Sequence, residues 1–216
     1  MAIYTKISKG EVKSIERKFN LGKIISFKGI KKGIENTNYL LRTKNKKFIL
    51  TIFEKRVQKK DLPFFMNLMD KLNNHKINCP KPQKNKKENF LINIKKKPAS
   101  IVSFVEGKDK FNLKIKDCYE IGKNIAKLHR ASKKIKLYRK NSISLSYWSK
   151  ILKKIGNGYK SIDVNLNDLI KKTLLETKRK WPRNLPAGII HGDLFIDNIF
   201  FKNNKFYGYI DFYFAC

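Results

Sequence analysis

The tightest constraint in this sequence is the spacing of a few polar residues near its end. His191, Asp193 and Asn198 stand in HGDLFIDN (191–198), and Asp211 follows one short hairpin later. The apolar run AGII (187–190) leads into this loop. Beyond it, NIFF (198–201) and FYGYID (206–211) flank an Asn203-Asn204 turn, which reads as a β-hairpin by its alternation and turn chemistry. Phosphoryl transfer requires these residue types at this interval. An Asp in such a loop accepts the proton of the substrate hydroxyl, and an Asn five residues on holds one Mg²⁺, a hard cation that prefers oxygen. A carboxylate at the end of the next strand holds the Mg²⁺ that bridges the β- and γ-phosphates of ATP. Asp193 is thereby the catalytic candidate, and Asn198 and Asp211 are the metal candidates. His191 reads as scaffolding that packs the loop into shape. The tripeptide HGD alone would mean little, because Asp and Asn are commonplace in turns. The information lies in the combination of strand, loop, hairpin and second carboxylate.

The chain ahead of this loop changes period along its length. Residues 11–20 form a short amphipathic helix stopped at Gly22, and β-rich runs at 23–30, 36–43 and 47–54 follow, separated by Lys/Gly and Lys/Asn turns. From Asp61 to Asn74, Leu62, Phe65, Met66, Met69 and Leu72 recur at helical steps, with Asp61 as the cap and His75 complementing the dipole at the far end. Strand-like runs at 89–94 and 98–105 complete a five-stranded α+β lobe. From about residue 111 the pattern is helical: 115–131 aligns Ile115, Tyr119, Gly122, Ile125, Ala126 and His129 on one face, with His129 read as a core histidine. Further helices are predicted near 145–156 and 165–180, the last ended by Trp181-Pro182. The expected division is a nucleotide-binding lobe over 1–105 and a mainly helical lobe over 106–216 that carries the catalytic hairpin.

ATP is expected between these lobes. Gly33, Asn36 and Asn38 lie in the turn between the first two strands, where backbone amides and short polar side chains can cover phosphates, although no G-x-G-x-x-G is present. The segment SFVEG (103–107) ends the fifth strand, so the backbone of Ser103 and Val105 is placed to serve the adenine edge.

A formal charge of +33 raises the alternative of a basic nucleic-acid-binding protein. Only seven of the 50 basic residues are Arg, however, and the lysines are scattered in pairs and triplets such as Lys95-Lys96-Lys97. That distribution reads as a solvated surface without a specific nucleic-acid footprint, and its field favours an anionic ligand such as ATP. Cys79, Cys118 and Cys216 form no CxxC pair, which argues against a disulfide framework or a zinc site. The N-terminus lacks an apolar signal core and no run of uncharged apolar residues reaches membrane-spanning length, so a cytoplasmic protein with no membrane partner is expected.

With these residues assembled, the sequence resembles the aminoglycoside phosphotransferase and choline kinase superfamily, and within it the bacterial homoserine kinases. The resemblance is carried by SFKGIKKGIENTNYLL (26–41), FILTIFEKR (48–56), DLPFFMNLMDKL (61–72), INCPKP (77–82), IVSFVEG (101–107), AKLHRAS (126–132), GIIHGDLFIDNIFF (188–201) and YIDFYFAC (209–216). It implies a protein-kinase-like bilobal fold. It also implies Mg-ATP-dependent phosphorylation of L-homoserine to O-phospho-L-homoserine, a step of threonine biosynthesis. Kinases of choline, methylthioribose or an aminoglycoside remain the alternatives within the superfamily. HGD in place of HRD, Phe195 in place of the catalytic-loop Lys, and Tyr213 after Asp211-Phe212 agree with a small-molecule acceptor.

Two departures stand out. Many relatives carry a phosphate-binding Lys or Arg where FILTIF has Thr51, which leaves Lys28, Lys47 and Lys55 as open alternatives, and the second helix offers Asp61 and Asp70 where a Glu is usual. The family also continues for roughly a hundred residues after IDFYFAC, so a C-terminally truncated chain is expected, poorly stable and inactive by itself, with Phe212 and Phe214 exposed.

Overall fold

The computed structural model describes residues 3–33 and 35–216. Helix α1 (Lys9–Lys18) opens on a capping box in which the Glu11 amide donates to the Ser8 hydroxyl at 3.3 Å and the Ser8 amide to the Glu11 carboxylate at 2.6 Å. Val12 and Ile15 form its buried face. Strands β1 (Ile24–Gly29), β2 (Thr37–Thr43) and β3 (Lys47–Ile52) form an antiparallel meander.

Helix α2 (Leu62–Asn74) follows, then β4 (Leu91–Ile94) and β5 (Lys97–Ser103), giving a five-stranded antiparallel sheet in the order β1-β2-β3-β5-β4. The β4–β5 turn holds Lys95 and Lys96 at φ 49° and 64°, the left-handed pair that a tight hairpin needs. Within β3 the residues alternate between faces. Phe48, Leu50 and Ile52 pack with Ile15 of α1, whereas Ile49, together with Phe53 just after the strand, joins the core formed by α2.

Helix α2 buries Leu62, Phe65, Met66, Leu68, Met69 and Leu72, with Pro63 in its first turn. Asp61 is not its side-chain cap, contrary to expectation. A turn of 3₁₀ helix (Lys59–Asp61) leads into the helix and leaves Asp61 in helical φ/ψ, and its carboxylate accepts from Arg139 Nε at 2.8 Å. A distant cation competes successfully for the acidic group that the local pattern assigned to the helix end.

Helix α3 (Ile115–Ser132) forms where predicted but turns the other way. Leu128 and Ala131 are buried, while Ile115 is 91% and Tyr119 69% exposed, and Gly122, Ala126 and His129 are exposed as well. His129 is therefore not a core histidine. The helix carries two stripes at helical spacing, and the α2 core receives the one through Ile121, Leu128 and Ala131.

The chain separates into two compact units, Met1–Arg139 with Ile189–Cys216, and Lys140–Gly188. The second contains α4 (Leu145–Ile155) and α5 (Leu166–Lys180), where Trp148 meets Trp181 edge-on at 6.0 Å and donates from its indole to Ile143 O at 3.0 Å. In the first unit the chain ends in the hairpin β6 (Ile199–Lys202) and β7 (Lys205–Tyr209), closed by Asn203 and Asn204 at φ 52° and 56°. Ile189, Ile199, Phe201, Tyr209, Phe212 and Ala215 all enter the α2 core. Phe212 is thus 1% exposed and Phe214 half-buried, which corrects the expectation that both would lie open. Among the described residues, no helix is long and apolar enough to cross a membrane.

Candidate active site

The loop 191–198 is shaped by the first of its own residues. His191 is 3% exposed, its ring centre lies 4.4 Å from that of Phe212, and its Nε2 lies 2.8 Å from Ile210 O. A carbonyl only accepts, so Nε2 carries the proton, and the free Nδ1 accepts the Asp193 amide at 3.4 Å. Burial depresses the imidazole to about 4 despite the bond to Ile210, so it is neutral at pH 7. Gly192 follows at φ 81°, and a Cβ there would stand 2.5 Å from Phe214 O. Only glycine fits both the left-handed backbone and that close approach.

Asn198 closes the loop from the other end. Its side-chain amide donates to Asp193 O at 2.8 Å and its own carbonyl accepts from the Ile210 amide at 3.0 Å. The segment after the hairpin returns to the loop, with the Ile190 amide donating to Cys216 O at 3.0 Å. These bonds put Asp193, Asn198 and Asp211 on one recess of about 450 Å³, together with Glu35, Arg56, Asp197 and Phe214.

The electrostatics of this recess are acidic. The Asp193 carboxyl is raised above its ordinary value by burial and by Asp197, against the opposing pull of Arg56. Asp211 is pushed up to about 6, first by lost hydration and then by the charges of Glu35 and Asp193, although the residue itself still touches solvent. Its φ of 61° is a left-handed conformation that Asp tolerates better than most residues.

A second recess of about 320 Å³ adjoins the first, sharing Gly33, Asn38, Asp197, Asn198, Asp211 and Tyr213. Ile49, Val102, Phe200 and Ile210 give it apolar walls, and Ser103, Phe104 and Val105 lie along its rim. Such a slot, apolar with a backbone edge, suits an adenine ring. The edge is held in register by two bonds, from the Phe104 amide to Lys47 O at 3.1 Å and from the Lys81 amide to the Ser103 hydroxyl at 2.8 Å.

The sequence-predicted residues distribute as follows. Gly33 and Asn38 line both recesses, Asn36 the acidic one, and Ser103 and Val105 the apolar one, whereas His191 lies beneath and touches neither. Asn36 also has a structural task, accepting the Glu54 amide at 3.3 Å. Thr51, in the slot where a cation was sought, is 3% exposed and donates to Asn38 Oδ1 at 2.8 Å.

Of the open alternatives for that cation, Lys28, Lys47 and Lys55 line neither recess. Lys47 pairs with Glu106 at 3.1 Å and lies over the Phe104 ring. The basic residues that do reach the recesses are Lys32, paired with Asp109, and Arg56, paired with Glu35. Sequence reasoning passed over both, since Arg56 sits in a loop between β3 and α2 with no local pattern to mark it. Asp197 was also missed, although its place inside HGDLFIDN could have flagged it.

The donor set fits a hard divalent cation. The Asn198 NH₂ is committed to Asp193 O, which leaves Oδ1 as an oxygen ligand, and Asp211 adds a carboxylate whose crowding by Glu35 and Asp193 a cation would relieve. Among the described residues no cluster of three or more His, Cys, Asp or Glu could hold a metal by itself. A metal here would take the remainder of its ligands from phosphate and water, the usual habit of Mg²⁺.

The model of the phosphotransferase enzyme family matches residues 26–216. Homoserine kinases of Parvibaculum lavamentivorans and Nitrobacter hamburgensis are 39% and 40% identical over all 216 residues, which cover 67% and 66% of their lengths. The chain thus spans about two thirds of the curated relatives it matches.

Among solved structures, a spectinomycin phosphotransferase in complex with ADP and spectinomycin aligns with 98% of this chain and 70% of its own at a TM-score of 0.73 and 12% identity. An amicoumacin kinase in complex with AMP-PNP and Ca²⁺ aligns with 97% and 65% at 0.67 and 14%. At these identities the two structures establish the fold. Taken with the match over 26–216 and the whole-chain identity near 40%, they leave one assignment: the chain belongs to the phosphotransferase enzyme family and, within it, to the homoserine kinases.

Proposed function

We propose that this chain carries the nucleotide-binding and catalytic parts of a kinase that transfers the γ-phosphoryl group of Mg-ATP to the side-chain hydroxyl of L-homoserine. The observation that carries the reading is the convergence of Asp193, Asn198 and Asp211 on one recess that opens into an adenine-sized slot. The acceptor identity is supported by relatives named homoserine kinase across the full chain. Residues 1–105 form the nucleotide lobe in this reading, and 106–216 carry the catalytic loop. A cytoplasmic setting suits three free thiols.

The adenine lies against the backbone of Ser103 and Val105, and the phosphates run beneath the turn that bears Gly33, Asn36 and Asn38. Asn198 Oδ1 and the Asp211 carboxylate would hold a divalent ion, taken to be Mg²⁺, which when bound would neutralise phosphate charge. Asp193 orients the homoserine hydroxyl and accepts its proton as the oxygen attacks the γ-phosphorus. The bond from that phosphorus to the β,γ-bridging oxygen breaks, and ADP leaves. The raised basicity of Asp193 suits this task. His191 stays neutral and holds the loop to Ile210.

An ADP-release assay on the complete gene product, offering homoserine, choline, methylthioribose and aminoglycosides in parallel, tests the reading. Turnover with homoserine is expected to exceed the others by orders of magnitude. Activity on choline without activity on homoserine would overturn the acceptor assignment.

A further inference from the structure

Phosphoryl transfer spreads negative charge over the oxygens of the group in flight, which a nearby cation stabilises, and in many kinases a further cation from the third strand of the sheet holds the α- and β-phosphates. Strand β3 offers only Thr51, whose hydroxyl is engaged with Asn38. The acidic recess that holds Asp193 is lined by Glu35, Asp193, Asp197 and Asp211, and by a single basic side chain, Arg56, among the described residues. Its guanidinium pairs with Glu35 from the β1–β2 turn and lies 4.8 Å from the ring centre of Phe214, just beyond Asp211. Both elements line the recess that would receive the phosphates. Lys32 reaches only the adenine-side recess, where Asp109 engages it.

We propose that Arg56 is the cation that holds the transferring phosphoryl group, and that Glu35 occupies its guanidinium until nucleotide arrives. A planar fork that accepts a carboxylate accepts two phosphoryl oxygens in the same way. The exchange is eased because the Arg56 side chain is 57% exposed, against 23% for Glu35, and an ion pair that reaches solvent is weak. Arg56 and Asp193 line the same recess, which puts the guanidinium charge on the side where the phosphoryl group would react. The assignment rests on the kinase reading of the site but not on the identity of the acceptor.

The test is Arg56→Gln and Arg56→Lys in the complete protein. Steady-state kinetics in both substrates are combined with calorimetric affinities for ADP and AMP-PNP in the presence of Mg²⁺. Arg56→Gln should lower kcat by about 10²-fold or more, as loss of one charge-stabilising donor does. It should leave the homoserine KM within about threefold and reduce the preference for AMP-PNP over ADP by roughly tenfold. Arg56→Lys should recover part of both.

Retained kcat with a raised homoserine KM would make Arg56 a clamp for the acceptor and overturn the proposal, and so would unchanged discrimination between AMP-PNP and ADP. Should Arg56→Gln fail to fold by circular dichroism, Glu35→Gln decides the question. It frees the guanidinium and should tighten AMP-PNP but not ADP, and no change overturns the proposal. The binding arm needs no acceptor, so a failure of the homoserine assignment would leave it readable and be told apart from it.

Discussion

His191 Nε2 donates a 2.8 Å hydrogen bond to the carbonyl of Ile210, so the first residue of the catalytic loop is tied to the residue directly before Asp211. The other ring nitrogen accepts the Asp193 amide. One buried, neutral imidazole therefore sets the spacing between the proposed base and the proposed metal ligand, without touching either recess.

That arrangement predicts a stability profile in acid. The imidazole is held at about 4 in the folded chain against an ordinary value of 6.5. Below 6.5 the unfolded chain takes up a proton that the folded chain refuses, so stability falls as pH drops from 6.5 towards 4, and this group contributes nothing above 6.5. The loss should approach about 3 kcal/mol. Thermal melts between pH 7 and 4.5, compared with those of His191→Asn, should show the steeper decline in the unsubstituted chain. Equal slopes would refute the assignment.

Asp193→Asn in the complete protein should lower kcat by about 10³-fold, in the range expected for a positioned general base, while ATP binds nearly as before. The shape of the loop should survive, because Asn198 bonds the backbone carbonyl of residue 193 and not its side chain. Turnover at the original rate would remove Asp193 from the mechanism.

Lost hydration first, and then the charges of Glu35 and Asp193, push the Asp211 carboxyl up to about 6. Asp211→Asn relieves that repulsion and tolerates φ 61°, so the metal-free chain should melt a few degrees higher. The same variant should bind Mg-AMP-PNP at least about tenfold more weakly, since an amide replaces an anionic oxygen ligand. Asp211→Ala should lose binding as well but gain less stability, because alanine disfavours the left-handed backbone. Calorimetry and melting curves together separate the two effects, and unchanged metal-nucleotide affinity in both variants would exclude Asp211 as a ligand.

Gly192→Ala should destabilise the chain by roughly 3 kcal/mol, through left-handed strain and overpacking against Phe214 O. Denaturant unfolding measures this directly. A loss below about 0.5 kcal/mol, the scale of an ordinary surface substitution, would show that the loop can shift away from Phe214.

Much of the architecture is legible in the residues because it follows from local rules. The five strands and α2 rest on period and turn chemistry: Asn203-Asn204 closes the catalytic hairpin because Asn accepts left-handed φ, and Leu62, Phe65, Met66, Met69 and Leu72 share one face at helical spacing. Where two local solutions were equally good, the pattern could not choose. Helix α3 offers two stripes at the same spacing, and the one containing Tyr119 and His129 faces outward.

The loop HGDLFIDN and the following Asp211 mark the site by chemistry and interval alone, since the residues that must act together lie close in the chain. The polar residues of the β1–β2 turn and the backbone after β5 were proposed on the same ground, and the fold brings them to the two recesses. Arg56 was not. Its meaning comes from Glu35 and Phe214, which stand far from it in sequence, and a loop arginine in so basic a chain carries no local signal.

By itself, then, the sequence determined the order and type of the elements and put forward Asp193, Asn198 and Asp211 as the candidate constellation, because backbone period, turn preference and short-range spacing are properties of neighbouring residues. Tertiary structure alone decided that Arg139 claims Asp61 from its helix end, that Phe212 is buried, that Thr51 is spoken for by Asn38, and that Arg56 reaches the recess. Those outcomes depend on which distant groups packing brings within a few ångströms of each other, where burial and Coulomb energy override the local preferences from which a pattern is read.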